Sequence, residues 1–262
     1  MLRAFSTSAM GMAAQQLMVD TIANNLANIN TTGFKRSQVA FQDLLYIVLQ
    51  EPGTEVVSGT FTPTGLEIGS GVRPAATIKV FTNGSLDNTG RSLDIAISGD
   101  GFLQVSMPNG DIRYTRDGSL QRNANGELVT TTGYSIEPAI SVPIDATSVD
   151  IGKDGGVNVT DSAGTQSVVG TIQLARFPNP AGLSSEGGNL FAETLASGTA
   201  TVGTAGESGF GTIQSGFLEK SNVQMITELV NLITAQRAYE TNSRAIRAGD
   251  EMLRQANQIA RF

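Results

Sequence analysis

Asp94 and Asp100 flank a short apolar run, IAI within SLDIAISGD, and paired carboxylates are what a glycoside-cleaving acid–base couple requires. In a chain with 24 acids such a pair is unspecific, and Asp100-Gly101 reads more simply as a turn. The stretch DIGKDGG at 150–156 has the outline of a calcium loop. It lacks the alternating oxygen ligands and the closing bidentate glutamate. GLEIGSG at 65–71 has the wrong spacing for a dinucleotide loop, and Gly152-Lys153 stands outside any phosphate-loop context. Serines are plentiful, but the chain has no histidine to activate one and no cysteine. Imidazole and thiolate catalysis, disulfides and the commonest metal ligands are therefore excluded. The expectation is no catalytic residue, no cofactor, no metal site and no enzyme activity.

With no reacting group to position, the elements must serve another purpose. The 262 residues suffice for one large domain or two ordinary ones, each with its own core. Only 16% of residues are charged and 6% aromatic, so the interior must rely on Val, Ile, Leu and Ala. The net charge is −7, and residues 46–220 hold nine bases against eighteen acids. That balance argues against nucleic acid as a partner and fits a solvated surface. No transmembrane segment is expected, because no apolar run is long enough to span a bilayer. Ser6, Thr7, Ser8, Gln15 and Gln16 interrupt the run that a secretory signal needs. The chain is expected either to stay in the cytoplasm or to leave by a route that reads no cleavable peptide.

Near the start, Leu2, Phe5, Ala9, Met12, Gln16, Val19, Ala23 and Leu26 step by three and four, a heptad seam interrupted at Gln16. Asp20 is the only charge between Ala4 and Ile29, whereas a lone surface helix carries a charged back face. Such a helix must be covered by protein. At the other end, Ser221 and Gln224 have capping-box spacing, which predicts a helix starting near Asn222. Its seam runs Met225, Leu229, Leu232, Gln236, Tyr239, Ser243, Ile246, Asp250, Leu253, Asn257 and Ala260. One track, Leu232, Tyr239, Ile246, Leu253, Ala260, is apolar; the other, Gln236, Ser243, Asp250, Asn257, is polar. Polar seam residues fix register and partner number at a cost in stability. With no proline from 221 to 262, the helix would be about 60 Å long, which suits a rod or bundle.

The middle reads as an antiparallel, hairpin-rich, all-β domain over 71–215. Asn83-Gly84, Asp100-Gly101, Asn109-Gly110, Asp117-Gly118, Asn125-Gly126 and Asp154-Gly155 all have hairpin-turn chemistry, and GTATVGTAGESGFG reads as a loop. In the insert at 46–69, Glu51-Pro52-Gly53-Thr54 matches a type II turn, with β-prone YIVLQ and TEVVSGTFT on either side. A two-stranded ribbon alone is marginal in water, so it needs a neighbouring surface. The fold class is thus α+β: terminal helices, a central all-β domain and an extended β-ribbon insert.

Four stretches carry a family resemblance. NNLANINTTGFKRS at 24–37, SGDGFLQV at 98–105, YTRDGSLQRNANGELVTTTGYSI at 114–136 and SGFLEKSNVQMITELVNLITAQRAYETNSRAI at 215–246 resemble the bacterial flagellar axial proteins, the rod and hook subunits. The resemblance covers nearly the whole chain in order. The length and the 46–69 insert are nearest the distal rod subunits; hook subunits have a larger middle and proximal rod subunits are smaller. It implies terminal helices paired as a coiled coil in the inner tube of a helical homopolymer, from 1–45 with 216–262. Residues 46–70 would be the insert, stiffening the rod, with Pro52, Gly53 and Gly65 shaping it; 71–215 would form the outer shell.

The motif positions implied are Asn24, Asn25, Ala27, Asn28, Gly33 and Phe34, with Ser221, Asn222 and Val223. The asparagines, Asn30 included, would close the helix, since an amide both donates and accepts. Gly33 would allow the turn into a segment where Phe34, Phe41, Leu44 and Leu45 pack. The partners implied are the chain itself, proximal rod subunits below, hook or hook-cap proteins above, a bushing of ring proteins, and the flagellar type III export apparatus. The residues alone also leave open a secreted β-rich binding module on a parallel trimeric coiled coil, whose two chain ends would not pair.

Overall fold

Two long helices and a β-rich middle account for the computed structural model, which describes residues 2–53, 55–57, 60–61, 63–162, 164–207 and 209–259. The chain divides into two units. The first gathers Met1–Leu26, Ser37–Ile78 and Met225–Phe262; the second gathers Ala27–Arg36 and Lys79–Gln224.

In the first unit, α1 (Leu2–Ala27) has no proline and is dominated by Ala, Met, Leu and Gln, all good helix formers. Helix α2 (Met225–Ile259) places Glu228 in its first turn, where the helix dipole favours a carboxylate. Farther along, Glu240–Arg244 at 4.0 Å and Asp250–Arg254 at 2.8 Å are exposed i,i+4 pairs, each contributing a few tenths of a kcal/mol. The helices meet through glycines. A Cβ on Gly11 of α1 would lie 2.8 Å from Asn242 Nδ2, and one on Gly249 of α2 would lie 2.9 Å from Phe5 Cζ. An early residue of α1 thus faces a late one of α2, so the two run antiparallel.

The same unit holds the insert. Ile47–Gln50 pairs with Leu66–Ile68, and Glu55–Val57 with Thr60–Phe61, all antiparallel. The insert therefore folds back beyond residue 57, and Glu51-Pro52-Gly53 is a kink within one arm. This corrects the expectation that YIVLQ pairs across that turn with TEVVSGTFT. Thr54, the fourth turn residue, lies outside the described residues. The apolar alternation of LEI at 66–68 offers YIVLQ a closer partner, and a Cβ on Gly65 would come within 2.8 Å of the Gln50 carbonyl and 2.9 Å of Pro52 Cδ.

In the second unit the main sheet has nine strands, all paired antiparallel. Its order is Leu120–Arg122, Leu128–Thr130, Ser135–Glu137, Phe102–Ser106, Ile112–Thr115, Leu190–Ala192 and Ser184–Gly187, with Gln173–Arg176 bridging Phe102–Ser106 to Thr201–Thr204. A three-stranded sheet, Ala146–Ile151, Gly156–Asp161 and Gln166–Thr171, packs into the same core. Strand Phe102–Ser106 is buried on both faces. Phe102 enters an aromatic cluster with Tyr114, Phe177 and Phe191, while Leu103 enters an aliphatic one with Ile95, Leu128, Val157 and Ile213. The rings meet edge to face, as at 4.7 Å for Tyr114 and Phe177.

Three of the six expected turns, at Gly110, Gly126 and Gly155, are hairpin turns with positive φ. Gly101 has positive φ but precedes a strand, and Gly84 and Gly118 do not turn back at all. At these last two, another backbone runs too close for any side chain: a Cβ would strike the Lys220 carbonyl at 84 and the Ile95 carbonyl at 118. The stretch read as loop around 198–211 contains the strand Thr201–Thr204, which completes the open edge of Gln173–Arg176. Leu45, expected to pack, is 89% exposed, while Phe34, Phe41 and Leu44 are half-buried.

Gly118→Ala should therefore destabilise the β unit by about 3 kcal/mol through overpacking. Gly110→Ala, strained but open to solvent, should cost about 1 kcal/mol. Urea unfolding followed by circular dichroism gives both values; the reverse order would refute the close-approach account.

Candidate assembly interface

The second unit is fastened by a buried ionic cluster. Lys35 Nζ lies 2.6 Å from Glu219 Oε1, with both side chains at most 1% exposed. Arg116 approaches Glu219 Oε2 at 3.5 Å and is itself 2% exposed. Each group has further partners. Lys35 donates to the Thr82 carbonyl (2.8 Å), and the Gly84 amide donates to Glu219 Oε1 (2.8 Å). Arg116 donates to the Gly99 carbonyl (2.9 Å) and the Ile97 carbonyl (3.4 Å), and its guanidinium lies over the Phe102 ring. Burial lowers the pKa of Lys35, an effect that Glu219 opposes and Arg116 reinforces; burial likewise lowers that of Arg116, against Glu219 and Asp100.

Asparagines supply a second set of fasteners. Asn25, fully buried within α1, donates through Nδ2 to the Ser37 carbonyl (2.8 Å) and accepts the Ser37 amide on Oδ1 (2.9 Å). Its amide thus holds the returning chain instead of closing the helix. Asn222 accepts the Arg36 amide (2.8 Å) and donates to the carbonyls of Val80 (2.8 Å) and Thr82 (3.1 Å). Ser221 Oγ accepts the Val223 amide at 3.3 Å. With both polar side chains engaged in this way, α2 begins at Met225, three residues after the expected start. Gly33 has φ +67, its amide donates to the Glu219 carbonyl (2.8 Å), and a Cβ there would meet Arg116 backbone at 2.6 Å.

The expected seam residues fall on different sides. On α1, Phe5, Met12, Val19 and Leu26 are half-buried and Ala9 is exposed; Leu2 is helical. On α2, Leu232, Ser243, Ile246 and Leu253 are half-buried, while Met225, Leu229, Gln236, Tyr239 and Asp250 are exposed; the Asn257 side chain and Ala260 lie outside the described residues. Glu228, Ala235, Asn242 and Gly249, each one position before a seam residue, are covered together with Ser243, while Gln236 and Asp250 are exposed. The glycine contacts explain the rotation, since only Gly249 admits Phe5. A cavity of about 550 Å³ between the helices is lined by Gln16, Val19, Gln236, Tyr239 and Glu240.

Among the motif positions, Asn25, Gly33, Ser221 and Val223 are buried. Asn28, Phe34 and Asn222 are half-buried, and Asn24 and Ala27 are exposed. Pro52, Gly53 and Gly65 are exposed, Pro52 and Gly65 side by side. Asp94 is buried 3.7 Å from Arg91, and Asp100 is exposed. The sequence reading passed over Lys35, Arg116 and Glu219. The available signal was that three of the four quoted motifs each hold one of them.

Large apolar side chains stand exposed at several points on the first unit and are grouped at two of them. One is the start of α2: Ile226 (79%), Val230 (57%), Ile233 (49%), with Met225 and Leu229. The other is the insert, where Leu45, Val48, Leu49, Leu66 and Ile68 are uncovered. Patches of this kind mark contact surfaces. No helix among the described residues is long and apolar enough to cross a membrane.

Comparison with known proteins bears on what covers them. Residues 5–35 match the profile of the flagella basal body rod protein family, 96–159 that of the flagellar hook protein FlgE/F/G D1 domain, and 214–259 that of the flagellar basal body rod FlgEFG protein C-terminal region. The chain is 46% identical over 264 residues to the flagellar basal-body rod protein FlgG of Borreliella burgdorferi, covering all of both chains. It is 44% identical to that of Caulobacter vibrioides, covering 98% of this chain and 99% of the relative. To that of Bacillus subtilis it is 37% identical over the full length of both.

Glu219→Gln strands two buried cations and should cost about 3–5 kcal/mol of β-unit stability. Lys35→Met leaves Glu219 with Arg116 and the Gly84 amide, so its loss should be smaller. Parallel urea titrations rank the two, and a larger loss for Lys35→Met would refute the role given to Glu219.

Proposed function

Because the chain belongs to the family of flagellar basal-body rod proteins, whose role is structural and not enzymatic, we propose that it is the distal rod subunit, a self-assembling helical homopolymer that carries motor torque across the periplasm to the hook. The observation that supports this most is the apolar start of α2, left uncovered by the chain's own helices. Burying Ile226, Val230 and Ile233 against another copy is worth about 1.5–3 kcal/mol for each side chain. Helix α1, with Asp20 its only acid, points the same way, since a nearly uncharged helix gains little from facing water.

In this reading α1 and α2 pair as a coiled coil and line the inner tube, with 1–45 and 216–262 as that domain and 71–215 as the shell. The insert at 46–70 lies on neighbouring copies and resists bending, with Pro52, Gly53 and Gly65 setting its kink. Proximal rod subunits meet the polymer below, hook or hook-cap proteins above, and ring proteins around it as a bushing. The subunit leaves through the flagellar type III export apparatus with no cleavable signal. A hook subunit is the second reading, since the matched D1 profile is shared by hook and rod; the end-to-end likeness to rod proteins favours the rod.

Electron microscopy of the concentrated protein should show straight tubes. Ile226→Asp with Val230→Asp should leave a monomer with unchanged β-unit circular dichroism and no tubes, because the charges would be buried at the contact. Tubes from that variant would refute the role of α2. Deletion of 46–69 should give tubes of visibly greater curvature, and tubes of undiminished stiffness would remove the role of the insert.

A further inference from the structure

The buried ionic cluster is one charge out of balance. Lys35 and Arg116 share the single carboxylate of Glu219, all three nearly inaccessible. The Nε–H of Arg116 is buried with no hydrogen-bond acceptor among the described residues, and Glu219 Oε2, 3.5 Å from the guanidinium, accepts no hydrogen bond there to neutralise it more closely. Orphaned buried donors are rare in folded proteins, and a buried charge is retained only when paired.

Arg116 also lines an open cavity of about 300 Å³ in the β unit, walled by Phe81, Phe102 and Phe177. Arg176 stands at the cavity, exposed, over the Phe210 ring and bonded at 3.3 Å to the Gly209 carbonyl. No ion pair to Arg176 occurs among the described residues. The one acid lining the cavity, Asp100, is exposed and acts on Arg116 from the solvent side, so three cations, Lys35, Arg116 and Arg176, face two carboxylates, Glu219 and Asp100. The wall is therefore apolar, the two bases are guanidiniums, and the carboxylate supply falls short by one. Aromatic walls suit a methylene stem, and by excluding water they strengthen any ion pair formed inside. A guanidinium matches a carboxylate in shape as well as charge.

We propose that this cavity is a socket for a carboxylate side chain contributed by a second copy of the chain. The choice of occupant rests on the polymer reading and on charge complementarity: residues 46–220 carry eighteen acids and nine bases, so every copy brings surplus carboxylates to its neighbours. Seating one completes the Lys35–Glu219–Arg116 cluster from outside. A contact between copies then reaches the same ions that fasten the two ends of the β unit.

Two measurements test this. First, the dilute chain is titrated with 3-phenylpropanoate and with neutral 3-phenylpropanol, followed by amide NMR. The acid should bind at least roughly ten-fold more tightly than the alcohol, with shifts at Phe81, Phe102 and Phe177, and Arg176→Met should abolish that preference. Equal binding of the two, or binding of neither, overturns the socket. Second, a benzophenone side chain placed at Pro178, on the cavity wall, is photolysed in assembled tubes or isolated rods. Capture of an Asp- or Glu-bearing peptide from another copy is expected. Capture only within the same chain, or of a different protein, overturns the assigned occupant. Failure to form tubes at all would count against the rod reading, while the titration still decides the socket.

Discussion

A carboxylate that cannot leave the protein interior organises the β unit. Glu219 holds Lys35, Arg116 and the Gly84 amide, and these come from segments far apart in sequence. Removing three charges from water is expensive, and buried pairs often do no better than apolar replacements in net stability. What such a cluster supplies is specificity. Its bonds tie residues 33–36, 82–84, 97–99 and 219 to one another. The close backbone approaches follow from the same demand: Gly33 lies against Arg116, and Gly84 against the Lys220 carbonyl. Any side chain at either glycine would push the cluster apart.

Neutral amides do for the adjoining segments what the ions do for the cluster. Asn25 and Asn222 each close on backbone groups through both the donor and the acceptor end of one amide. Between them they hold Arg36 and Ser37, the point at which the chain leaves its first turn for the first strand. The polar groups near the ends are thus consumed internally. What remains exposed at the start of α2 and on the insert is mostly apolar. Contacts that must form once, inside the chain, use directional bonds. In the proposed polymer, contacts to other copies at these two patches would use non-directional burial, which tolerates the slightly different environments of a helical lattice.

The sequence was read correctly where the signal was periodic or local. Both helices are present, the middle is all antiparallel, and Asn109-Gly110, Asn125-Gly126 and Asp154-Gly155 are hairpin turns, because a turn's φ requirement is written in the dipeptide itself. It misled where the reason for a residue lies elsewhere in the chain. Gly118 looked like a turn glycine and is a point of backbone approach to Ile95; Pro52-Gly53 looked like a hairpin end and is a kink braced against Gly65. Ser221 and Gln224 had capping spacing, but α2 begins only at Met225, past both.

By itself, then, the sequence determined the class of the molecule: a chain without histidine or cysteine, two long helices with little charge on one of them, and a turn-rich β middle, all set by composition and by repeats of seven and two. The tertiary structure alone decided which side of α2 meets α1, because a one-residue rotation depends on whether Gly249 admits Phe5 and Gly11 admits Asn242. It alone brought Lys35, Arg116 and Glu219 together. Their separations of 81 and 103 residues leave no local pattern to detect, and a buried ion pair is defined by the space around it, which no stretch of sequence contains.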